Sequence, residues 1–205
     1  MSYFKHPKAL VETNEIGPDT RVWAFAHIMK GARVGSGCNI CDQVFVETGA
    51  VVGNLVTVKN GVSIWEKMTV EDRVFIGPNA AFTNDMWPRS KAGGDLLPTL
   101  IRYGATVGAN STILCGITIG KFALIGAGSV VTRDVPDYAL FFGNPAVKKG
   151  YVCECARKLI KEESDHYRCQ GCLRVFLVTE EGILTPVRVS KEKERRWETR
   201  RQSSR

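Results

Sequence analysis

Large aliphatic residues recur at every sixth position along most of this chain. The residue after each aliphatic position is often Gly, and the fourth residue after it is often small. The aliphatic positions form two series with different phases: Ile16, Val22, Ile28, Val34, Ile40, Val46, Val52, Val58, Ile64, Val70, Ile76 and Phe82, followed by Val107, Ile113, Ile119, Ile125 and Val131. A regular structure with a six-residue repeat unit is therefore predicted.

A period of six fits neither the 3.6-residue period of an α-helix nor the simple alternation of a long strand. A coil with three flat sides of one hexad each does explain it, because the aliphatic side chain fills the interior and the small residue fits near a corner. Gly tolerates the backbone angles of a corner. The pattern predicts an all-β fold, a parallel β-helix prism. About 17 hexads predict about five to six coils, stacked roughly 4.8 Å apart.

The repeat is interrupted between Phe82 and Val107, where we predict one long inserted loop at about residues 83–106. The step of 25 residues equals four hexads plus one residue, so the loop resets the phase. A solenoid corner accommodates an insertion because the loop leaves and re-enters at the surface. Loops of this length inside a regular repeat are uncommon unless they carry a function.

The inserted loop contains side chains that suit an anionic ligand. Arg89, Lys91 and Arg102 offer positive charge, and Trp87 offers a ring for stacking. In the alternative interpretation the fold merely tolerates the loop, and Trp87 packs against a neighbouring surface.

Composition allows one medium-sized domain with a small appendage. The chain has 205 residues, of which 44% are hydrophobic, enough for a core of ordinary size. We find no apolar run of about 18 residues and no apolar core of a signal peptide at the N-terminus, and so expect a cytoplasmic protein without a membrane partner. Three units are predicted: a β-helix over 1–150, a small Cys-rich module over 151–190 and a basic tail over 191–205.

The tail carries much of the formal charge of +7, because residues 191–205 hold seven basic and three acidic side chains and so contribute +4. We favour a solvated chain end over an arm that binds nucleic acid, and therefore expect no nucleic-acid partner.

Four cysteines after the hexads have the spacing of a metal site. Cys153 and Cys155 form C-x-C, and after thirteen intervening residues Cys169 and Cys172 form C-x2-C. Four thiolates bind Zn²⁺ tetrahedrally, so the spacing predicts a small zinc ribbon with a structural zinc ion. The alternative is four free thiols. Cys38 and Cys41 belong to the hexads, and we expect them to be packed.

The hexads resemble the left-handed parallel β-helix of the hexapeptide-repeat acyltransferases, over residues 6 to about 150. The handedness follows from this resemblance, not from the period. Local sequences are similar to the N-acetyltransferases that act on UDP-linked 2-acetamido-3-amino-2,3-dideoxyglucuronic acid in O-antigen biosynthesis, and closely similar enzymes acetylate dTDP-linked 3-amino-3,6-dideoxyhexoses. These sequences are "HPKALVE", "VWAFAHIM", "FTNDMWPRS", "GATVGANSTILCGITIG" and "GAGSVVTRDVPDYALFFGNPAVKKGYVCECA". The resemblance implies acetyl-CoA as the donor and a homotrimer with active sites between subunits.

The chain has few candidates for a catalytic base. His6, His27 and His166 are its three histidines, and none is near the inserted loop in sequence. The resemblance implies instead that Glu66 and Asn84 hold the amine, with the CoA sulfur as the proton acceptor. The two residues are 18 apart, which is one full turn of a three-sided prism, so the spacing independently places one above the other, about 4.8 Å apart.

The resemblance also implies the positions of the other ligand groups. Backbone groups around Gly108, Ala109, Gly126 and Ala127 would line the pantetheine arm of CoA, and Pro145, Lys148 or Lys149 would lie near its nucleotide phosphates. For the sugar nucleotide, Arg89 and Ser90 are candidates for diphosphate or carboxylate contacts, and Arg102 is a further candidate.

The predicted function is acetylation of the 3-amino group of a nucleotide-linked amino sugar, with the UDP-linked uronate preferred and a dTDP-linked 3-amino-3,6-dideoxyhexose as the alternative. A zinc carbonic anhydrase of the same fold is rejected, because it needs histidine ligands between coils and only His27 lies within the hexads. A non-catalytic scaffold with a nucleic-acid-binding tail stays open as an alternative from another class.

Overall fold

The computed structural model of the chain describes residues 2–91, 94–162, 165–179 and 182–187, so the predicted basic tail lies outside the described residues. Short strands and tight turns alternate to build a three-sided parallel β-solenoid. Face 1 comprises β1 (Phe4–Lys5), β3 (Arg21–Val22), β6 (Asn39–Ile40), β9 (Thr57–Val58), β12 (Phe75–Ile76), β15 (Thr106–Val107), β18 (Leu124–Ile125) and β20 (Ala139–Gly143).

The other two faces follow in chain order within each coil. Face 2 comprises β2 (Leu10–Val11), β4 (His27–Ile28), β7 (Phe45–Val46), β10 (Ser63–Ile64), β13 (Ala81–Phe82), β16 (Thr112–Ile113) and β19 (Val130–Val131). Face 3 comprises β5 (Arg33–Val34), β8 (Val51–Val52), β11 (Met68–Val70), β14 (Thr99–Ile101) and β17 (Thr118–Ile119). The first corner joins face 1 to face 2, the second joins face 2 to face 3, and the third joins face 3 to face 1. Coils are numbered by their strand on face 1.

The register confirms the hexad prediction. Strands that pair on one face are 18 residues apart, as in His27 with Phe45 and Phe45 with Ser63. Across the insertion the offset becomes 31 residues, as in Ile76 with Val107, so the insertion adds 13 residues to one coil. The second residue of each two-residue strand from β3 to β19 is buried, and the aliphatic series is buried except for the half-buried Ile16.

Two details of the sequence-based prediction were wrong. Face 1 contains eight coil strands, so the solenoid has about eight coils, not five to six. The six-residue count missed β1, β2 and β20 because the terminal coils break the period: Val11 and Ile16, for example, are five residues apart. The loop is also shorter than predicted. It spans 83–98, because β14 already pairs with β11 and Ile101 is its inward residue.

We expected Gly after the aliphatic residue because a corner needs unusual backbone angles. The structure shows instead that Gly is needed there because neighbouring coils stack closely. A Cβ on Gly35 would lie 2.5 Å from the carbonyl oxygen of Gly53 in the next coil. Positive φ angles occur instead two residues later, where side chains are tolerated: Leu55 has φ of 56° and Phe122 has φ of 54°. Coils can therefore stack this closely at the corners only where no side chain intervenes.

After the last coil the chain forms a hairpin and a small antiparallel sheet. β21 (Ala146–Tyr151) pairs with β20. The sheet, here called the ribbon, contains β22 (Leu159–Lys161), β23 (His166–Cys169), β24 (Val175–Val178) and β25 (Leu184–Val187). Its core around Phe176 and Leu184 is separate from the solenoid core. Among the described residues we find no helix of the length and apolarity needed to span a membrane.

Candidate active site

Glu66 and Asn84 both lie at the second corner, in consecutive coils. Glu66 follows β10 in coil 4, and Asn84 follows β13 in coil 5. The side chain of Glu66 is exposed, and its backbone N–H donates to Glu47 Oε2 at 2.8 Å. Asn84 is half-buried, and its backbone carbonyl accepts a hydrogen bond from the Leu97 N–H at 2.9 Å. The corner therefore presents a carboxylate and an amide at neighbouring levels.

The strand ladder of face 2 is interrupted at this level. Within the part of the chain that the structure describes, β10 and β13 are the only strands of consecutive coils on one face that do not pair. In the coil below, the Glu47 N–H donates to the Ile64 carbonyl at 2.9 Å. Between coils 4 and 5 the equivalent acceptor is the Phe82 carbonyl. It accepts a hydrogen bond from the indole Nε1 of Trp65 at 2.7 Å instead of from a backbone N–H. A side chain thus replaces the backbone donor next to Glu66.

Trp65 is held in turn by its neighbours. Its ring packs edge-on against Phe45 with centroids 5.7 Å apart, and its backbone N–H points at Met68 Sδ, 3.3 Å away. Sequence reasoning missed Trp65, although its position directly before Glu66 was a usable signal.

The inserted loop closes at Asn84. Asp85 and Leu96 form an antiparallel bridge, and Lys67 Nζ donates to the Leu96 carbonyl at 3.1 Å. Lys67 was also missed by sequence reasoning, although it directly follows Glu66. The loop is therefore tied to the coils on both sides of its base, and its position relative to the second corner is set.

The outer part of the loop carries the predicted sugar-nucleotide residues. Arg89 and Ser90 are exposed, and the Trp87 side chain is 83% exposed. Arg102 lies elsewhere, at the third corner, where its guanidinium is 3.5 Å from Asp137 Oδ1. The structure brings Arg89 and Ser90 together but does not bring Arg102 to them.

The predicted CoA residues gather at the first corner of coils 6 and 7. A Cβ on Gly108 would lie 2.5 Å from the backbone nitrogen of Ala127, and a Cβ on Gly126 would lie 2.7 Å from the side-chain Cβ of Phe142. The Gly128 N–H donates to the Ala109 carbonyl at 2.8 Å. These coils therefore form a closely stacked edge of Gly and Ala backbone at this corner.

The hairpin of β20 and β21 continues this edge. It contains Pro145, which follows a cis peptide bond, and two exposed lysines. Lys148 Nζ lies 3.8 Å above the Tyr151 ring, and Lys149 Nζ lies 5.8 Å from the centroid of Phe142. Two cations are therefore available beside the backbone edge.

The candidate acceptor and CoA residues occupy different corners of one chain. Glu66 and Asn84 are at the second corner, whereas Gly108 and Gly126 are at the first, and face 2 lies between the two corners. None of the three histidines lies near Glu66 and Asn84. His27 Nε2 is 3.2 Å from Glu12 Oε2 in the first coils, His6 accepts from the Lys8 N–H at 3.2 Å, and His166 lies in the ribbon.

The four cysteines of the ribbon converge. The Sγ atoms of Cys153, Cys155, Cys169 and Cys172 all lie within 4.8 Å of one another. Burial would raise the pKa of the Cys169 thiol, but hydrogen bonds from the backbone N–H groups of Cys172 and Gly171 lower it to about 7. Cys38 and Cys41 are buried within the solenoid, as predicted.

Comparison with known proteins places the chain in a family. The family described as "Hexapeptide repeat of succinyl-transferase" matches residues 103–133. The chain is 55% identical over 157 residues to the dTDP-3-amino-3,6-dideoxy-alpha-D-galactopyranose 3-N-acetyltransferase of Aneurinibacillus thermoaerophilus, and the match covers 76% of this chain and 82% of that protein. The chain belongs to the hexapeptide-repeat N-acetyltransferases.

Other proteins to which the chain is similar are more distant. The chain is 35% identical over 140 residues to the bifunctional protein GlmU of Nitratidesulfovibrio vulgaris (strain DSM 19637 / Miyazaki F), with 66% of this chain and 28% of GlmU covered. A solved structure, the acetyltransferase domain of PglB from Neisseria gonorrhoeae FA1090 in complex with acetyl coenzyme A, matches with a TM-score of 0.47 and 22% identity, covering 70% of this chain and 55% of that one. The chain thus spans about half of the PglB structure and about a quarter of GlmU.

Proposed function

We propose that this N-acetyltransferase transfers the acetyl group of acetyl-CoA to the 3-amino group of a dTDP-linked 3-amino-3,6-dideoxyhexose. The observation that carries the proposal is the 55% identity to an enzyme named for this reaction, over 82% of that enzyme's length. The placement of Glu66 and Asn84 at one corner, where the inserted loop closes, agrees with an acceptor site there.

The dTDP-linked acceptor replaces the UDP-linked uronate that the sequence motifs favoured. A uronate carboxylate needs a dedicated cation, and the loop's Arg89 serves equally well for a diphosphate. Arg102 is already paired with Asp137, so it is a weak candidate for a carboxylate partner. Because no described residue specifically demands a carboxylate, the relative's substrate class favours the dTDP-linked sugar.

Acetyl transfer requires a neutral amine oriented toward the thioester carbonyl. Glu66 and Asn84 would orient this amine. The Glu66 carboxylate accepts a hydrogen bond from the amine, directly or through a water, and the Asn84 amide fixes its orientation. The nitrogen attacks the carbonyl carbon, and the C–N bond forms as a tetrahedral oxyanion develops. The C–S bond then breaks, and the CoA sulfur takes the proton that the nitrogen loses. Products are the N-acetylated sugar nucleotide and CoA.

The donor is assigned to the first corner. The exposed backbone around Gly108, Ala109, Gly126 and Ala127 suits the amides of the pantetheine arm, because a stacked edge of Gly and Ala leaves room for a linear chain. Lys148 and Lys149 of the adjoining hairpin are the cations for the nucleotide phosphates. Pro145, between them and Gly126, shapes the hairpin.

An assembly of three chains accounts for the separation of the two half-sites. Face 2 lies between the first and second corners of one chain, so acetyl-CoA on one corner reaches an amine held on the second corner of a neighbouring chain. A homotrimer with closed symmetry supplies three such clefts. The acceptor half and the donor half of each site then come from different subunits.

A panel of acceptors tests the function. We would measure thiol release from acetyl-CoA with a dTDP-3-amino-3,6-dideoxyhexose and with UDP-2-acetamido-3-amino-2,3-dideoxyglucuronate, and weigh the sugar product for one added acetyl group. Release with the dTDP sugar and not the UDP uronate is expected. The opposite pattern would move the substrate to the uronate. No release with either, together with no binding of acetyl-CoA, would contradict enzymatic function and favour the scaffold alternative.

A further inference from the structure

The first and second pairs of cysteines in the ribbon are folded by matching backbone bonds. In the first pair the Cys153 N–H donates to the Arg157 carbonyl at 2.9 Å, and the Cys153 carbonyl accepts from Ala156 at 2.8 Å. In the second the Cys169 N–H donates to the Arg174 carbonyl at 2.9 Å, and the Cys169 carbonyl accepts from Leu173 at 2.8 Å. The second loop is longer by one residue, which is the difference between C-x-C and C-x2-C.

The backbone conformation after each pair matches as well. Ala156 follows Cys155 with φ of 62°, and Leu173 follows Cys172 with φ of 62°. Both loops therefore turn in the same left-handed backbone conformation, one residue after the second cysteine of each pair.

The four sulfurs meet at that point. Cys153 and Cys172 Sγ are 3.3 Å apart, Cys155 and Cys169 Sγ are 3.4 Å apart, and all four atoms lie within 4.8 Å of one another. Zn–S bonds of about 2.3 Å in a tetrahedron put sulfurs about 3.8 Å apart, within this range. A disulfide is about 2.05 Å long and joins two sulfurs, so two disulfides would not require all four to converge.

Backbone N–H groups lie beside the sulfurs: that of Cys155 beside Cys153, those of Gly171 and Cys172 beside Cys169, and that of Arg174 beside Cys172. Such N–H dipoles favour negatively charged sulfur. Burial acts in the opposite direction and raises the pKa of the Cys153 and Cys172 thiols. The side chain of Arg157 lies against Gly171, where any Cβ would collide with it. Positive charge is therefore held beside the second pair.

We propose that Cys153, Cys155, Cys169 and Cys172 bind one Zn²⁺ ion per chain, and that the ion holds the ribbon against the last coil of the solenoid. With four protein ligands the site is closed, as in structural zinc sites, and leaves no position for substrate. This goes beyond the acetyl-transfer function and does not depend on it.

The link to the solenoid passes through Glu154, which lies between the first two cysteines. Its carboxylate pairs with Arg174 of the second loop and lies beside the Tyr138 hydroxyl of the third corner, whose pKa burial and this carboxylate raise to about 12. The Tyr138 ring packs on Phe176 of the ribbon core, with centroids 5.5 Å apart, and stacks on Phe122 on its other side, at 5.3 Å. A metal ion that holds the cysteine loops in place would therefore also hold Glu154 in the position where it links the ribbon to the last coils.

Metal content of the full chain tests the proposal. Protein purified under reducing conditions without chelator should contain one zinc per chain by plasma emission spectrometry. The C169S/C172S double variant should contain almost none. The control C41S/C115S removes two buried thiols of the solenoid and should keep its zinc. Replacement of zinc by Co²⁺ should give thiolate-to-cobalt charge-transfer absorption and the visible bands of tetrahedral cobalt in wild type and control only.

A second measurement does not depend on the folding of the double variant. Blocking the thiols of wild-type protein with a mercurial should release zinc, and trypsin should then cut at Arg157, Lys158 or Arg168 while the solenoid stays intact. Wild-type protein that holds no zinc and gives no cobalt bands after full reduction would overturn the proposal. So would a mass four hydrogens short that shows two disulfides, or equal loss of zinc from the control variant.

Discussion

Single residues at the corners decide how closely the coils stack. Gly35 and Gly108 stand where the backbone of the next coil passes within 2.5 Å of any added Cβ. Residues with positive φ stand two positions further on and carry side chains as large as Phe122. The preference for Gly directly after the aliphatic residue therefore reflects contact between coils more than the freedom of glycine to turn.

The acceptor residues can be tested by conservative changes at this scale. E66Q keeps the size of the side chain but removes its charge, so kcat/KM should fall by about 10²-fold, because a hydrogen bond to a charged acceptor contributes about 1.5–3 kcal/mol. N84A should reduce it by about tenfold through the loss of one hydrogen bond. Both should leave the oligomer and the melting temperature near wild type, because Glu66 is exposed and Asn84 is only half-buried.

The matched control is E15Q, an exposed glutamate near the same corner in the first coil. It should keep wild-type rates. Steady-state kinetics with both substrates checks all three variants, and wild-type kcat/KM in E66Q and N84A would remove these residues from the site.

Sequence spacing could predict part of this site. The 18-residue interval between Glu66 and Asn84 placed them on neighbouring coils, because the period of the fold converts sequence distance into position. Arg102 shows the limit of the argument. Its pairing with Asp137 joins residues 35 positions apart through side chains, and a backbone period carries no information on such a contact.

At the scale of elements, the interruption between β10 and β13 was not predictable from the hexads. Ile64 and Phe82 continue the period without a fault, and both are inward-facing as expected. The ladder is broken by the indole of Trp65, which takes the carbonyl that a backbone N–H binds in other coils. The pattern of apolar and polar positions does not indicate which group donates a hydrogen bond to a given carbonyl.

This interruption suggests a positioning role for Trp65. W65F keeps a ring against Phe45 but removes the N–H that holds the Phe82 carbonyl, two residues before Asn84. We expect kcat to fall by about tenfold while the KM for acetyl-CoA is unchanged, because only the acceptor side is misplaced. Stability should fall by about 1 kcal/mol for the lost hydrogen bond.

W23F is the control for this change. Trp23 Nε1 donates to Asn39 Oδ1 at 2.7 Å, and its ring packs on Phe4, so the same chemistry is lost away from the loop. It should lose a similar amount of stability and retain full kcat. Equal losses of kcat in both variants would mean that the effect of Trp65 is general destabilisation.

At the scale of the molecule, the described chain has two cores that meet around Tyr138. The solenoid core runs from Ala9 to Ala146, and the ribbon core contains Phe176, Leu159 and Leu184. The hexads predicted the first core and its inward residues. They could not give the number of coils, because the terminal coils depart from the period, and the ribbon core follows no repeat at all.

Damage to one core should therefore stay within it. F176A empties a fully buried position of the ribbon and should cost about 3–5 kcal/mol there. Hydrogen exchange measured by mass spectrometry should speed up in β22–β25 and leave coils 2–6 unchanged. I40A, at a fully buried position of coil 3, should give the opposite pattern. Faster exchange throughout the solenoid in F176A would show that the two cores unfold as one.

The closure of the inserted loop has a consequence for how such enzymes diversify. Asp85 pairs with Leu96, and Leu97 binds back to Asn84, so the two ends of the loop meet at one point of one coil. The residues between them can lengthen, shorten or change without altering the pitch of the rod or the strands on either side. Evolution, or a protein engineer, can exchange this segment as a cassette, and under the proposed function this would present a different sugar to an unchanged donor edge.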